Sequence, residues 1–128
     1  MGTKGVTSKK VLIVEDNHDT SFLLCQMLQR AGFEVEHAID GVVGYKTASQ
    51  GHPDLIVTDL QMPRMDGIEM IKRIRQEREL SGTRIIAMTA YGPRALNDAL
   101  QAGADEIIQK PIDYDQFLMT VKSALSLA

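Results

Sequence analysis

A second cysteine is missing from this chain. Cys25 stands alone, so no intrachain disulfide can form and nothing marks a secreted, stapled fold. Long hydrophobic runs are missing as well. The apolar stretches are only a few residues each, far short of the roughly 20 that span a bilayer, so no membrane insertion is expected. The opening residues lack the charged-then-apolar order of a secretory signal. Positive charge is not in excess, with 14 basic residues against 17 acidic ones and a formal net charge of −3. Such a surface is poorly suited to holding DNA, RNA or acidic lipid by bulk electrostatics, so no direct nucleic-acid binding is expected. His18, His37 and His52 lack the spacing of metal ligands. These absences together predict a soluble cytoplasmic protein.

The residues present describe an ordinary folded domain. Hydrophobic residues make up 44% and charged residues 24% of 128 positions, which suits one domain with one core. Met1 to Ser8 are small, polar and aperiodic and read as a flexible leader or an expression remnant, leaving 9–128 as the domain. Short, fully apolar runs follow at Val11-Leu12-Ile13-Val14, Leu55-Ile56-Val57 and Ile85-Ile86-Ala87-Met88, with a weaker one at Ile107-Ile108. Continuous β-rich runs of this length suit strands covered on both faces, as in a parallel sheet. Val35 to Ile39 is more mixed and suits an edge strand.

Between these runs the apolar spacing becomes helical. Thr20, Leu23, Leu24, Met27, Leu28 and Ala31 fall on one predicted helix face, stopped by Gly32. Ile71 and Ile74 repeat the rhythm after Asp66, a good N-cap residue. Leu96, Ala99 and Leu100 do so after Pro93, and Phe117, Leu118, Val121 and Leu125 after Asp113. Strand and helix alternate five times, with no internal repeat. Right-handed crossovers between parallel strands then give an open, doubly wound α/β sandwich. Ligands of such folds bind at the carboxyl ends of the strands.

Four of the predicted strands end in chemically notable residues: Glu15-Asp16, Thr58-Asp59, Thr89-Ala90 and Lys110-Pro111. A single aspartate there would be unremarkable as a helix cap. The set is more specific. Glu15, Asp16 and Asp59 repel one another and call for a hard divalent cation, Mg²⁺ or Mn²⁺. Lys110 adds a second positive charge and Thr89 a hydroxyl donor. These parts suit phosphoryl transfer, with a carboxylate as nucleophile.

From Lys9 onward the chain resembles the receiver domains of two-component response regulators. The resemblance rests on Glu15-Asp16, on Asp59 within the stretch Asp59-Leu60-Gln61-Met62-Pro63-Arg64-Met65-Asp66-Gly67, on Thr89, and on Lys110-Pro111. It implies a flavodoxin-like (βα)5 fold whose five parallel strands lie in the order 2-1-3-4-5. It also implies Asp59 as phosphoacceptor, with Thr89 and Lys110 completing the reacting centre. Mg²⁺ would be held by Asp16, Asp59 and the backbone carbonyl of Gln61, with Glu15 acting through water. A cis bond is expected at Lys110-Pro111. The implied donor is a phosphohistidine on a sensor histidine kinase or histidine phosphotransfer protein. Phosphorylation would turn Thr89 inward and bias the fourth helix, fifth strand and fifth helix, to be read by a downstream output protein or domain. The chain would act on no outside substrate, catalysing only its own phosphorylation and slow autodephosphorylation.

Three features depart from the family pattern. Ile107 stands where an aromatic switch residue is common, so a tyrosine-type readout is not expected. The spacing from Thr89 to Lys110 is one residue short, a difference expected in the Tyr91-Gly92-Pro93 loop. The acidic pair is Glu-Asp instead of Asp-Asp, which leaves metal binding expected. Gln61 and Tyr91, two residues past Asp59 and Thr89, flank the route of water, and Tyr91 is expected to shield the phosphoryl group. Phe22 and Cys25 fall outside the first helix's apolar stripe and could dock a helical partner. An isolated surface Phe would need no such explanation. Two other classes fit less well. An aspartyl-phosphate phosphatase would want a second aspartate at Gln61, and a flavin carrier would want a small-residue phosphate loop at Glu15-Asp16-Asn17.

Overall fold

Side chains alternate along each central strand between two apolar layers, and this alternation decides the architecture. The computed structural model describes residues 8–62 and 64–125; of the expected leader, only Ser8 is among them. The elements are β1 (Lys10–Val14), α1 (His18–Arg30), β2 (Glu34–Ala38), α2 (Gly41–Gly51), β3 (Leu55–Asp59), α3 (Gly67–Gln76), β4 (Arg84–Thr89), α4 (Pro93–Ala102), β5 (Glu106–Gln109) and α5 (Tyr114–Ala124). The strands form one parallel sheet in the order β2-β1-β3-β4-β5. Fold class and strand order are those expected, with the mixed strand β2 at one edge.

Leu12, Val14, Ile56, Ile85 and Ala87 face one layer, where they meet α2, α3 and α4 through Ala48, Met70, Ile71, Ile74 and Ala99. Val11, Ile13, Leu55, Val57, Ile86 and Met88 face the other, against Leu24 and Leu28 of α1 and Phe117 and Val121 of α5. Each fully buried aliphatic side chain contributes roughly 1.5–3 kcal/mol, so the three central strands dominate stability. Four helices start at a side-chain cap. Asn17, Asp40, Asp66 and Asp113 accept from the backbone N–H of Thr20, Val43, Glu69 and Gln116 at 2.9, 2.9, 2.9 and 3.1 Å. Helix α4 has Pro93 in its first turn and no side-chain cap.

Two predicted helix faces are rotated. In α1 the buried residues are Ser21, Leu24 and Leu28, while Leu23 is 47% exposed and Ala31 is also exposed. The small Ser21 lets the helix sit close to the sheet and turns Leu23 outward. In α4 the contacts come from Ala95, Ala99 and Ala102, and Leu100 is 43% exposed. Helix α2 has almost no large apolar stripe, because its buried positions are Gly41, Gly44 and Ala48. A Cβ on Gly44 would lie 3.0 Å from Val14 Cγ1 and 2.9 Å from Met70 Sδ.

The closest approach is at Gly41, where a Cβ would stand 2.1 Å from the Met65 carbonyl oxygen. This contact seats the β3–α3 loop on the start of α2. Gly41→Ala should therefore cost about 2 kcal/mol or more, since backbone must move to admit the methyl group. Gly82→Ala, with open space around it, should stay within about 0.5 kcal/mol. Urea unfolding of both variants beside wild type checks the contrast, and equal midpoints would refute the close-packing argument.

Candidate functional site

Backbone pairing places the four strand-end groups, because the ladders continue one residue past the strands. Glu15 N–H donates to the Ala38 carbonyl at 3.0 Å, Leu60 N–H to Met88 at 3.0 Å, and Lys110 N–H to Thr89 at 2.8 Å. Asp59 is the last residue of β3 and Thr89 the last of β4. Their side chains therefore open on the same end of the sheet. The Lys110-Pro111 bond is cis, as expected.

Glu15, Asp16 and Asp59 each bring a carboxylate oxygen within 4.8 Å of the others. Glu15 and Asp59 are buried at 1% and 6% exposure, whereas Asp16 is exposed. Lys110 Nζ reaches between the two buried acids, 3.1 Å from Asp59 Oδ2 and 3.3 Å from Glu15 Oε1. Burial, and then the charge of Asp59, push Glu15 up to about 7 from an ordinary 4.5, against the lowering effect of Asn17 N–H and Lys110. Burial alone would lower the pKa of Lys110. Its hydrogen bonds and charge attraction to Asp59 and Glu15 outweigh that, leaving the ammonium above its ordinary value. Three hard oxygen donors around one ammonium leave negative charge in excess when all are ionised. The donor set suits Mg²⁺ or Mn²⁺ and has no soft ligand that would favour another metal.

Thr89 is fully buried. Its hydroxyl donates to Gln61 Oε1 at 2.9 Å and accepts from Tyr91 N–H at 3.0 Å. Gln61 also donates its backbone N–H to Asp59 Oδ1 at 3.3 Å, so one residue touches both groups. Sequence reasoning singled out the Gln61 carbonyl and missed this side-chain bond. It also missed Asn17 N–H on Glu15 Oε2 at 3.1 Å, and His37 Nε2 against the Glu15 backbone oxygen at 3.0 Å. No sequence signal marks either. Arg64, with φ of 70°, pairs through Nε with the buried Asp40 Oδ2 at 3.3 Å. Asp40 thereby caps α2 and ties down the loop that carries Gln61.

The remaining candidates lie around this centre. Tyr91 is 63% and Phe22 61% exposed, and Cys25 is half-buried. Phe22 and Cys25 border a groove of about 460 Å³ with His18, Asp19, Ser21 and His37. Ile107 packs partly against the layer that holds α4. Ile107 and Pro111 line a cleft of about 260 Å³ beside Phe117 and Thr120 of α5.

Comparison with known proteins agrees with this geometry. Residues 11–122 match the response regulator receiver domain model. The polar-differentiation response regulator DivK of Brucella ovis is 34% identical over 119 residues, covering 92% of this chain and 97% of DivK. The DNA-binding dual master transcriptional regulator RpaA of Synechocystis is also 34% identical, over 91% of this chain, but the chain spans only 48% of RpaA. Chemotaxis response regulator CheY4 of Vibrio cholerae superposes with a TM-score of 0.88 at 32% identity, over 93% of this chain and all of CheY4. The receiver domain of a Pseudomonas aeruginosa sensor histidine kinase, with a magnesium ion coordinated in its active-site cleft, gives 0.87 at 26% identity, over 94% of this chain and 99% of its own. With the family pattern running from β1 into α5 and the acidic pocket at the strand ends, this chain belongs to the response regulator receiver family of two-component signalling.

Proposed function

We propose that Asp59 is the phosphoacceptor, taking a phosphoryl group from a phosphohistidine on a sensor histidine kinase or histidine phosphotransfer protein. The observation that carries this reading is the Lys110 ammonium shared between Asp59 and Glu15. Asp16, Asp59 and the Gln61 carbonyl would hold Mg²⁺ or Mn²⁺, with Glu15 acting through water, and the ion would supply positive charge against the phosphoryl oxygens. An Asp59 carboxylate oxygen attacks phosphorus while the bond to the donor imidazole nitrogen breaks, and that nitrogen keeps the electron pair. Lys110 stays with the centre and neutralises the incoming charge. Thr89 turns its hydroxyl to a phosphoryl oxygen. Water later attacks phosphorus, the bond to the Asp59 oxygen breaks, and inorganic phosphate leaves with the carboxylate restored; no outside substrate is acted on. Tyr91 stands beside the water route and shields it. The changed position of Thr89 biases α4, β5 and α5, including Ile107 and Pro111, toward a surface read by a downstream output protein or domain. Residues 9–128 form this receiver, with 1–8 a leader or an expression remnant.

Three results are expected. Incubation with acetyl phosphate and Mg²⁺ should add one phosphoryl group by intact mass, and Asp59→Asn or removal of Mg²⁺ should abolish the gain. Phosphorylation of Asp59→Asn at the wild-type level would overturn the assignment.

The second concerns pH in the absence of divalent cation. In the fold Glu15 keeps its proton to about pH 7, and outside it only to about 4.5. Between those values the folded state binds the extra proton, so stability should fall as pH rises through the window. Lys110, raised, contributes throughout it and loses its contribution only at alkaline pH. Over the whole window the loss should be about 3 kcal/mol, and Glu15→Gln should flatten it. Urea midpoints across the window test this, and a flat wild-type profile would refute it.

The third concerns donor docking. The Phe22 groove flanks the acidic pocket, where a donor helix must approach to present its phosphohistidine. Phe22→Asp should slow phosphotransfer from the cognate donor about tenfold or more, while phosphorylation by acetyl phosphate stays normal. An equal effect on both donors would exclude docking there.

A further inference from the structure

We propose that the Gln61 side chain is a latch that holds Thr89 in the resting state, and that its release is part of the switch. This rests on the reading of Asp59 as phosphoacceptor. A threonine hydroxyl has one hydrogen to donate. In Thr89 that hydrogen goes to Gln61 Oε1 at 2.9 Å, while Tyr91 N–H occupies the oxygen at 3.0 Å. Thr89 therefore cannot donate to a phosphoryl oxygen on Asp59 until Gln61 lets go. Gln61 is well placed to do so. Its side chain lies at the surface, where water replaces the lost partner. Its backbone N–H donates to Asp59 Oδ1 at 3.3 Å, so chemistry at Asp59 disturbs the residue that holds the latch.

Release also has a consequence on the far side of Thr89. When the hydroxyl turns inward, Tyr91 N–H loses its acceptor. Tyr91 precedes Gly92, the N-cap position of α4, which has no side-chain cap bond. Among the described residues of this helix, Ala99 is the one that is fully buried. The latch thus joins the phosphoacceptor to the least firmly started helix.

A neutral hydrogen bond of this kind is worth a factor of about five in an equilibrium. Gln61→Leu keeps the bulk that could shield water and removes the acceptor. With Mg²⁺ saturating, beryllofluoride mimics the phosphoryl group without hydrolysis, and its affinity can be read by isothermal titration calorimetry. Gln61→Leu should lower the Kd about 3–10-fold. In a Thr89→Val background the same substitution should change nothing, as a double-mutant cycle requires. Amide hydrogen exchange at Tyr91 should also be faster in Gln61→Leu than in wild type without ligand, a comparison that needs no Thr89 variant. Equal Kd values for wild type and Gln61→Leu, an equal gain in the Thr89→Val background, or unchanged exchange at Tyr91 would each overturn the latch. If wild type itself binds no beryllofluoride, the phosphoacceptor reading falls and the latch with it; if it binds and Gln61→Leu does not differ, the latch alone falls.

Discussion

The electrostatic conflict among Glu15, Asp16 and Asp59 is the constraint on which the site depends. Two unit charges at 4.8 Å, the span of this cluster, repel by about 3 kcal/mol at an effective dielectric of about 20. Two of the three acids are buried, so water does little to relieve them. One ammonium, Lys110, touches both buried acids, and burial, followed by the charge of Asp59, makes Glu15 hold its proton to about pH 7. The sheet enforces the cluster. Glu15 directly follows β1 and Asp59 ends the neighbouring β3, in a register that runs from Val11 opposite Leu55 to Val14 opposite Thr58. Moving them apart would mean slipping a ladder buried on both faces. The core of β1, β3 and β4 is strong enough to hold a few kcal/mol of repulsion at its edge.

The helices are not held alike. Helices α1 and α5 bury Leu24, Leu28, Phe117 and Val121, whereas the fully buried residues of α2 and α4 are glycine and alanine. Small residues have opposite effects in these two. At Gly41 and Gly44 they permit contact so close that α2 is locked onto Met65, Val14 and Met70. In α4 they give shallow contacts beneath a surface that still carries an exposed Leu100. The far end of α4 is nevertheless fixed. Arg75 donates to the carbonyls of Gly103 at 2.9 Å and Thr83 at 2.7 Å and pairs with Asp105 at 2.9 Å. Helix α4 is therefore anchored where it leaves the site and lightly held where it meets Thr89 and Tyr91.

Most of this architecture was legible in the sequence because it rests on local, repeating signals. Apolar runs such as Val11 to Val14 identify strands covered on both sides, and Asp66 and Asp113 mark helix starts. The strand-end residues could be grouped because a parallel sheet has only one carboxyl edge. What escaped depends on size and rotamer. Helix α2 shows little apolar stripe, since its fully buried positions are Gly41, Gly44 and Ala48 and only Val43 and Tyr45 add larger, partly buried contacts. Leu23 and Leu100 match a helical period but lose the buried face to Ser21 and the alanines, which allow closer approach. The Gln61–Thr89 bond joins residues 28 apart through one amide rotamer, and no spacing rule encodes it. The Arg64–Asp40 pair is equally silent in sequence.

Ile107 shows how these differences bear on signalling. It is half-buried against the layer that holds Ala95, Ala99 and Ala102, and has no hydroxyl to expose or bury. A side-chain switch at this position would have only van der Waals contacts to exchange. The connection out of the pocket that the geometry offers instead is along the backbone, from Thr89 Oγ1 to Tyr91 N–H and then through Gly92 to Pro93. Glycine at the cap adds no side-chain bond to resist that motion, and the Tyr91 ring stands 63% exposed at the loop. An aromatic group is thus carried by the loop that follows Thr89 and bonded to it through its backbone N–H. Under the proposed role of Asp59, the group placed to report its state lies on the loop before α4, where Tyr91 N–H meets Thr89 Oγ1, not on β5.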